Sequence, residues 1–461
     1  MLATADHTHP VPAAQLPHLV SDTWTTEVVP QLPADLATQA RLLKAFQRKR
    51  GLQCPTDLLR GLLAYVLCAC SARQLGAWAV LIGLADLSET AWRKRLRHAN
   101  AWLLWLLAEL LAPPLLPDSE PVGQPTYGRV LLIDATRLQQ PGGTGDDWRL
   151  HTAYDLGAAR LTHVTLTDRH TAESLAHYAL QPGDVVVADG GYGYRRSVAT
   201  VVQQQANRVF RIHPSTFPVE DALGQPLDVL RWLRQQGQAV RSRTRWCRWN
   251  GQRYAVRLIA SKLPPAEARA ARKRKRQAAK DHGRQITLAT LLVAGWVLLV
   301  TTLAAAAWSD TDILRLYRAR WQTELVYKRM KQVLNLNQIR STQPAQVEAT
   351  VRLLLIAWAL QEREAAEVRR QLPRGLPPAA GGAAARPRVV SSWLLTGLCV
   401  EVLRQQVRGT WSQARLRACL PRLQRFLCSR PRRRRVHQET DVRAWLERRP
   451  SVPSLPQLLA A

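Results

Sequence analysis

Val130-Leu-Leu-Ile-Asp134 and Asp184-Val-Val-Val-Ala-Asp189 are short apolar runs that each close on a carboxylate. Runs of this length, rich in β-branched and aliphatic residues, read as buried strands. An acid at the end of such a strand projects into the cleft beyond the sheet edge. Between and after these runs, Trp148–Asp155, Leu161–Thr167 and Arg208–Ile212 read as further strands. Gly142-Gly-Thr-Gly145 and Gly157 supply turns. Thr171–Leu180 and Ser197–Ala206 read as helices.

Three strands of antiparallel type, then helix, strand, helix, strand, is the order of a ribonuclease-H-like α/β core. The expected organisation follows from it. Residues 1–33 form a loose arm, 34–118 a helical DNA-binding region, and 125–213 the first part of the core. A β-rich insertion occupies 214–303, with a hairpin turning at Asn250-Gly251. Residues 304–370 return to the core as helices, and 388–461 form a helical C-terminal region with a basic tail. In the N-terminal part, Ala34–Lys49, Pro55–Cys70, Ala72–Gly83 and Ser88–Leu111 carry apolar residues at helical spacing. Ser88 can cap a helix presenting Arg93, Lys94, Arg95 and Arg97, which suits either a helix-turn-helix DNA reader or a solvated basic face. Val389–Val407 and Trp411–Cys428 are read as two further helices.

The 461 residues hold 65 Lys and Arg against 34 Asp and Glu, a formal charge of +31. Such an excess attracts phosphate backbones, so nucleic acid is the leading partner. A membrane surface or the ribosome is the competing account. Ala266–Lys280, with Arg272-Lys-Arg-Lys-Arg276, is read as a phosphate contact. The seven cysteines are scattered, and Cys68-x-Cys70 has no second pair at zinc spacing, so reduced thiols of a cytosolic protein are expected. No signal peptide is read. The uncharged run Ile286–Trp308 is long enough to span a membrane. Its threonines and Gly295 favour a buried strand, and no membrane association is expected.

The third acid lies in Tyr317-Arg-Ala-Arg-Trp-Gln-Thr-Glu-Leu-Val-Tyr-Lys-Arg-Met-Lys331, within a helix expected from Ser309 to Leu334. Tyr317, Arg320, Glu324, Lys328 and Lys331 recur every three or four residues and share one face. One acid among three cations and a phenol suits a metal-bound phosphate. The bland alternative is Glu324 pairing with Arg320 and Lys328 on an exposed helix. Hard divalent ions prefer carboxylate oxygens, and two such ions can serve both the attacking and leaving oxygens of phosphoryl transfer. Asp134, Asp189 and Glu324 are the minimum set for that chemistry. Asp146, Asp147, Asp155, Asp168 and Asp184 read as turn or strand-edge residues, and His151 as a hydrogen-bonded structural histidine.

These blocks resemble the DDE transposases of bacterial insertion sequences, of the insertion-sequence-four type. That family's Tyr-x2-Arg-x3-Glu-x6-Lys signature is met by Tyr317, Arg320, Glu324 and Lys331. Ile133-Asp-Ala-Thr136, Pro141-Gly-Gly and Asp147-Trp-Arg-Leu-His151 resemble its first block. Ala188-Asp-Gly-Gly-Tyr192 resembles the second, with Gly190 where a basic residue is common. The resemblance implies a ribonuclease-H-like catalytic core and cut-and-paste transposition through strand cleavage, a hairpin and strand transfer. It implies Mg2+ or Mn2+, two ions, held by Asp134, Asp189 and Glu324. It further implies DNA contacts by Tyr317, Arg320, Lys328 and Lys331, by Arg211 at a strand end, and by Trp296 stacking on a flipped base. The implied partners are duplex DNA at terminal inverted repeats and target DNA, bound by a homodimer in the bacterial cytoplasm, at the nucleoid. Rival readings are a catalytically inactive or repurposed sequence-specific DNA-binding protein, and a metal-dependent nuclease.

Overall fold

The computed structural model describes residues 22–112, 128–143, 147–235, 237–372, 389–410, 417, 420, 423, 427–429 and 439–447. The arm before residue 22, the Gly-rich turn at 144–145, most of the expected helix Trp411–Cys428 and the basic run 432–435 lie outside them.

Five helices open the chain: α1 (Leu36–Leu42), α2 (Pro55–Leu67), α3 (Ala72–Leu81), α4 (Glu89–His98) and α5 (Asn100–Leu111). Strands β1 (Val130–Leu138), β2 (Trp148–Asp155), β3 (Arg160–Asp168) and β4 (Val185–Ala188) follow. Next come α6 (Arg195–Gln203), β5 (Asn207–Arg211), α7 (Val229–Arg234), β6 (Val240–Trp249) and β7 (Gln252–Lys262). Then follow α8 (Pro265–Asp281), α9 (Leu288–Val293), β8 (Trp296–Thr301), α10 (Asp310–Ala319) and α11 (Trp321–Val333). Helices α12 (Pro344–Gln371) and α13 (Ser392–Arg408) and a final helix Glu439–Glu447 complete the described chain.

Two compact units result, and the division falls within α11, between Lys328 and Arg329. The expected block 304–370 is therefore shared between them. One unit is helical. Its α12 packs against α2, α4, α5 and α13, burying Leu353, Ile356, Trp358 and Leu360. Ser88 caps α4 by accepting the Ala91 amide, and α4 turns Trp92 and Leu96 inward while Arg93, Lys94 and Arg97 stay exposed.

The other unit holds one eight-stranded sheet in the order β3-β2-β1-β4-β5-β8-β7-β6. β1 pairs parallel to β4 and β4 parallel to β5, and every other neighbouring pair is antiparallel. The first five strands have the ribonuclease-H-like arrangement, and β8, β7 and β6 extend the same sheet. Segment 214–303 thus adds three strands to the core sheet and also carries α7, α8 and α9. At Asn250-Gly251 the backbone turns with φ of +47° and +77°, the left-handed geometry that closes a tight hairpin.

Several expectations are corrected. Thr171–Leu180 holds only a single 3-10 turn, Leu175–His177. The stretch read as one helix from Ser88 to Leu111 breaks at Ala99. The run 286–308 divides into α9 and β8, and among the described residues no helix is long and apolar enough to cross a membrane. The helix expected from Ser309 to Leu334 breaks at Arg320. There the Thr323 hydroxyl donates to the Arg320 carbonyl at 2.7 Å, and backbone bonds three residues apart replace the α-helical ones.

Candidate active site

The sheet register aligns the two aspartates. Leu132 lies beside Val187, and Val187 beside Val209. Extended two residues past these, the register leads to Asp134, Asp189 and Arg211, and Asp189 is near enough for its charge to act on Asp134. Side chains alternate along a strand. Leu131, Ile133, Val186, Ala188 and Phe210 consequently fill a core cluster on one face. Asp134 and Asp189 point to the other face, against whose β4 and β5 helix α10 packs. Asp134 does not end its strand: β1 continues to Leu138 along β2, and only its parallel pairing with β4 stops at Leu132. Asp189 stands just past β4 and accepts the Gly191 amide at 2.8 Å.

Helix α11 reaches Asp134 through the Tyr327 hydroxyl. Tyr327 donates to the Asp134 carbonyl at 2.8 Å, so the Thr152 hydroxyl, 2.6 Å away, must donate to Tyr327. Thr323 lies 3.4 Å from Asp134 Oδ2. Burial keeps the Tyr327 phenol protonated by pushing its pKa well above the ordinary value. This docking places Glu324 beside β1. The Arg320 guanidinium bridges the two acids, with one nitrogen 3.4 Å from Asp134 Oδ2 and the other 3.0 Å from Glu324 Oε1.

Burial pushes the Asp134 carboxyl up to about 6, and the like charges of Asp189 and Glu173 add to the rise. The Ala135 amide and Arg320 oppose it. Glu173 is itself raised by burial and by Asp189, against Arg149 and Arg137. A Cβ on Gly191 would lie 2.1 Å from Glu173 Oε2 and 3.1 Å from Asp189 Oδ1, so glycine there lets the two carboxylates approach. Glu173 was not singled out in the sequence. It sits in the loop before the 3-10 turn, where no periodicity marks it. Tyr327 and Thr323 were also passed over, although each lies within three residues of Glu324.

Tyr317 is raised by burial, and Arg320, Arg211 and Asp189 are all near enough to act on its phenol. The structure therefore gathers Asp134, Asp189, Glu324, Arg320, Tyr317 and Arg211, with Glu173 added. Lys328 is exposed on α11, its ammonium 4.9 Å from the centre of the Trp321 ring. Lys331 follows one turn later on that helix, beyond the unit boundary. Trp296 is not in this group. It is 5% exposed at the start of β8, in a core cluster with Val256, Leu258 and Leu298, and the Arg241 guanidinium lies 5.1 Å over its ring.

Other acids take structural positions. Asp184 is buried and held by the Arg129 guanidinium at 2.7 Å, and Asp155 and Asp168 cap turns. His151 is buried, bonded to Thr167 and in tilted ring contact with His177.

Among the described residues, no three His, Cys, Asp or Glu side chains converge closely enough to hold one ion together. The donor chemistry nevertheless fits a hard divalent cation. Asp134, Asp189 and Glu173 are oxygen donors whose mutual repulsion a cation would relieve, and Arg320 already supplies positive charge between Asp134 and Glu324.

A ribonuclease-H-like sheet with acids on β1 and just past β4, and another on a docked helix, is the setting of the fold's phosphoryl-transfer enzymes. Residues 126–360 match the family described as the transposase DDE domain. The chain is 33% identical to the putative transposase InsL for insertion sequence element IS186A of Escherichia coli strain K12, over 70% of this chain and 89% of that protein. Identity and coverage are the same for the transposase for insertion sequence element IS421 of Escherichia coli. The chain belongs to the DDE-domain transposases. It is a DNA-cleaving and strand-transferring enzyme that depends on divalent metal and binds DNA at transposon ends.

Proposed function

We propose that Asp134, Asp189 and Glu324 are the catalytic carboxylates of a cut-and-paste transposase and hold two Mg2+ or Mn2+ ions. The observation that carries this reading is the register row of Asp134, Asp189 and Arg211, with α11 fastened to Asp134 by Tyr327. Such ions, when bound, stabilise the attacking and leaving oxygens of an in-line displacement at phosphorus. The protein's own side chains position the reaction. Tyr327 fixes α11 against β1, and Thr323 shapes the turn that leads into it. Tyr317, Arg320, Arg211 and Lys328 present a phenol and three cations to the DNA backbone, and Lys331, in the other unit, is by itself a further candidate DNA contact. Arg320 can exchange its carboxylate partners for a phosphate with the same fork geometry. Trp296 is assigned to the core, because holding an unstacked base would require the indole to leave its cluster. Two paired ends require two copies of the chain, so a homodimer is the working form, acting on terminal inverted repeats and then on target DNA.

The test uses purified protein, Mg2+ and duplex DNA carrying the element's own ends. Nicked, hairpin and joined products are expected, all lost on chelation and in Asp189→Asn or Glu324→Gln. Nicks without joined products would favour the nuclease reading, and end binding without any cleavage the inactive one. Glu173→Gln is expected to weaken Mn2+ binding by about 10- to 100-fold, the range for residues that support metal ligands. An unchanged affinity in a spectroscopic titration would leave Glu173 as a structural acid.

A further inference from the structure

Helix α8 lies outside the site and has no role in the chemistry above. Of its seventeen residues, Pro265 to Asp281, only Ala268 is buried. Its attachment is narrow. The Arg272 Nε donates to the Leu291 carbonyl at 3.1 Å, and its guanidinium lies 2.8 Å from where a Cβ on Gly295 would sit. Ala271 and Ala279, on the same side as Ala268, are half-buried. Arg269, Lys273, Arg276 and Lys280 are spaced four, three and four residues apart and are all exposed. At 100° per residue they form one strip about 60° wide and about 16 Å long. Among the described residues no carboxylate pairs with any of the four. Arg274 and Lys275 add exposed charge beside the strip.

Like charges at these spacings on one helix face repel each other. The helix accordingly concentrates charge that no carboxylate among the described residues of its unit pairs with. A duplex carries one phosphate charge per ~1.7 Å of axis, and each cation placed on it releases a condensed counterion. Gln277 beside the strip is engaged by Asp281 at 2.7 Å, and the exposed donors left along the strip are cations spaced down its length, as phosphates are along a duplex backbone.

We propose that the Arg269–Lys280 strip of α8 is a sequence-independent clamp on the phosphate backbone of duplex DNA. The inference rests on the chain acting on duplex DNA, and it deepens that reading by naming a surface and a mode of contact.

The test compares the full chain with the variant Arg269→Gln, Lys273→Gln, Arg276→Gln, Lys280→Gln, without divalent metal. Binding to a terminal-repeat duplex and to an unrelated duplex of equal length is measured across a salt series. The slope of log affinity against log salt is expected to become shallower by about 3 to 4, at about 0.9 per lost contact. Both duplexes should weaken by the same factor, and strand cleavage at saturating protein and low salt should persist. A charge-keeping swap of Arg for Lys and Lys for Arg at the four positions should retain the parent slope. An unchanged slope in the Gln variant overturns the proposal. So does a loss confined to the terminal repeat, or a loss seen with RNA but not with duplex DNA. Absence of cleavage by the parent chain, with the salt effect intact, would instead count against the catalytic reading.

Discussion

Asp134→Asn is expected to abolish strand cleavage and joining while making the metal-free protein more stable at pH 8. On the proposed ligand role, the substitution removes several kcal/mol of transition-state stabilisation, and about 4 kcal/mol already corresponds to roughly a thousandfold in rate. The stability gain has a separate cause. Asp134 is 15% exposed, and burial raises its carboxyl from 3.8 to about 6. Between those values the folded chain holds a proton that the unfolded chain has released, so stability falls as pH rises through about 6. Above that pH the cost of the buried charge is fully present, at most about 3 kcal/mol. Asparagine keeps an oxygen for the Ala135 amide and removes the charge. It also loses the Arg320 pairing at 3.4 Å, which reduces the gain. Thermal melts from pH 4 to pH 8 should show the variant pulling ahead of the parent only as pH rises. A variant less stable at pH 8 would refute the burial argument, and retained cleavage would falsify the ligand assignment.

The central row of the site was legible because strand chemistry is local. Two apolar runs ending on Asp134 and Asp189 fix both the strands and the faces their side chains take, and the parallel pairing that ends at Leu132 and Val187 leaves the acids near each other just beyond it. Arg211 was legible for the same reason, as the residue that leaves the apolar run of β5. The residues around Glu324 are expected on one continuous helix, and the structure breaks that helix at Arg320. Thr323 looks like an ordinary helical residue, and its hydroxyl takes the Arg320 carbonyl only in the folded turn. That break aims the Arg320 fork at Asp134 and Glu324 together. Glu173 was not legible because a loop carries no period. Its place beside Asp189 depends on the missing side chain at Gly191, a long-range fit that spacing does not encode. In each case the sequence signal ends where a side chain's partner lies on another element.

Trp296→Ala separates two readings of one aromatic, and its larger effect is expected on stability. The sequence places this indole where the family's base-stacking residue is expected. The structure places it 5% exposed among Val256, Leu258, Ala260 and Leu298, with Arg241 over its face. Truncating a buried tryptophan costs about 3–5 kcal/mol, through lost transfer energy and the cavity left behind. The guanidinium contact adds about 0.5–1 kcal/mol at most. Because β8 lies between β5 and β7, loosening it exposes both neighbours, and the midpoint of denaturant unfolding should fall with little change in slope. Cleavage, hairpin and joining should then decline together, in proportion to the folded fraction. Trp296→Phe, which keeps much of the apolar volume, should restore most of the stability and all three steps. A Trp296→Ala protein of parent stability, nicking normally but unable to form hairpins, would show instead that the indole leaves its cluster to hold a base.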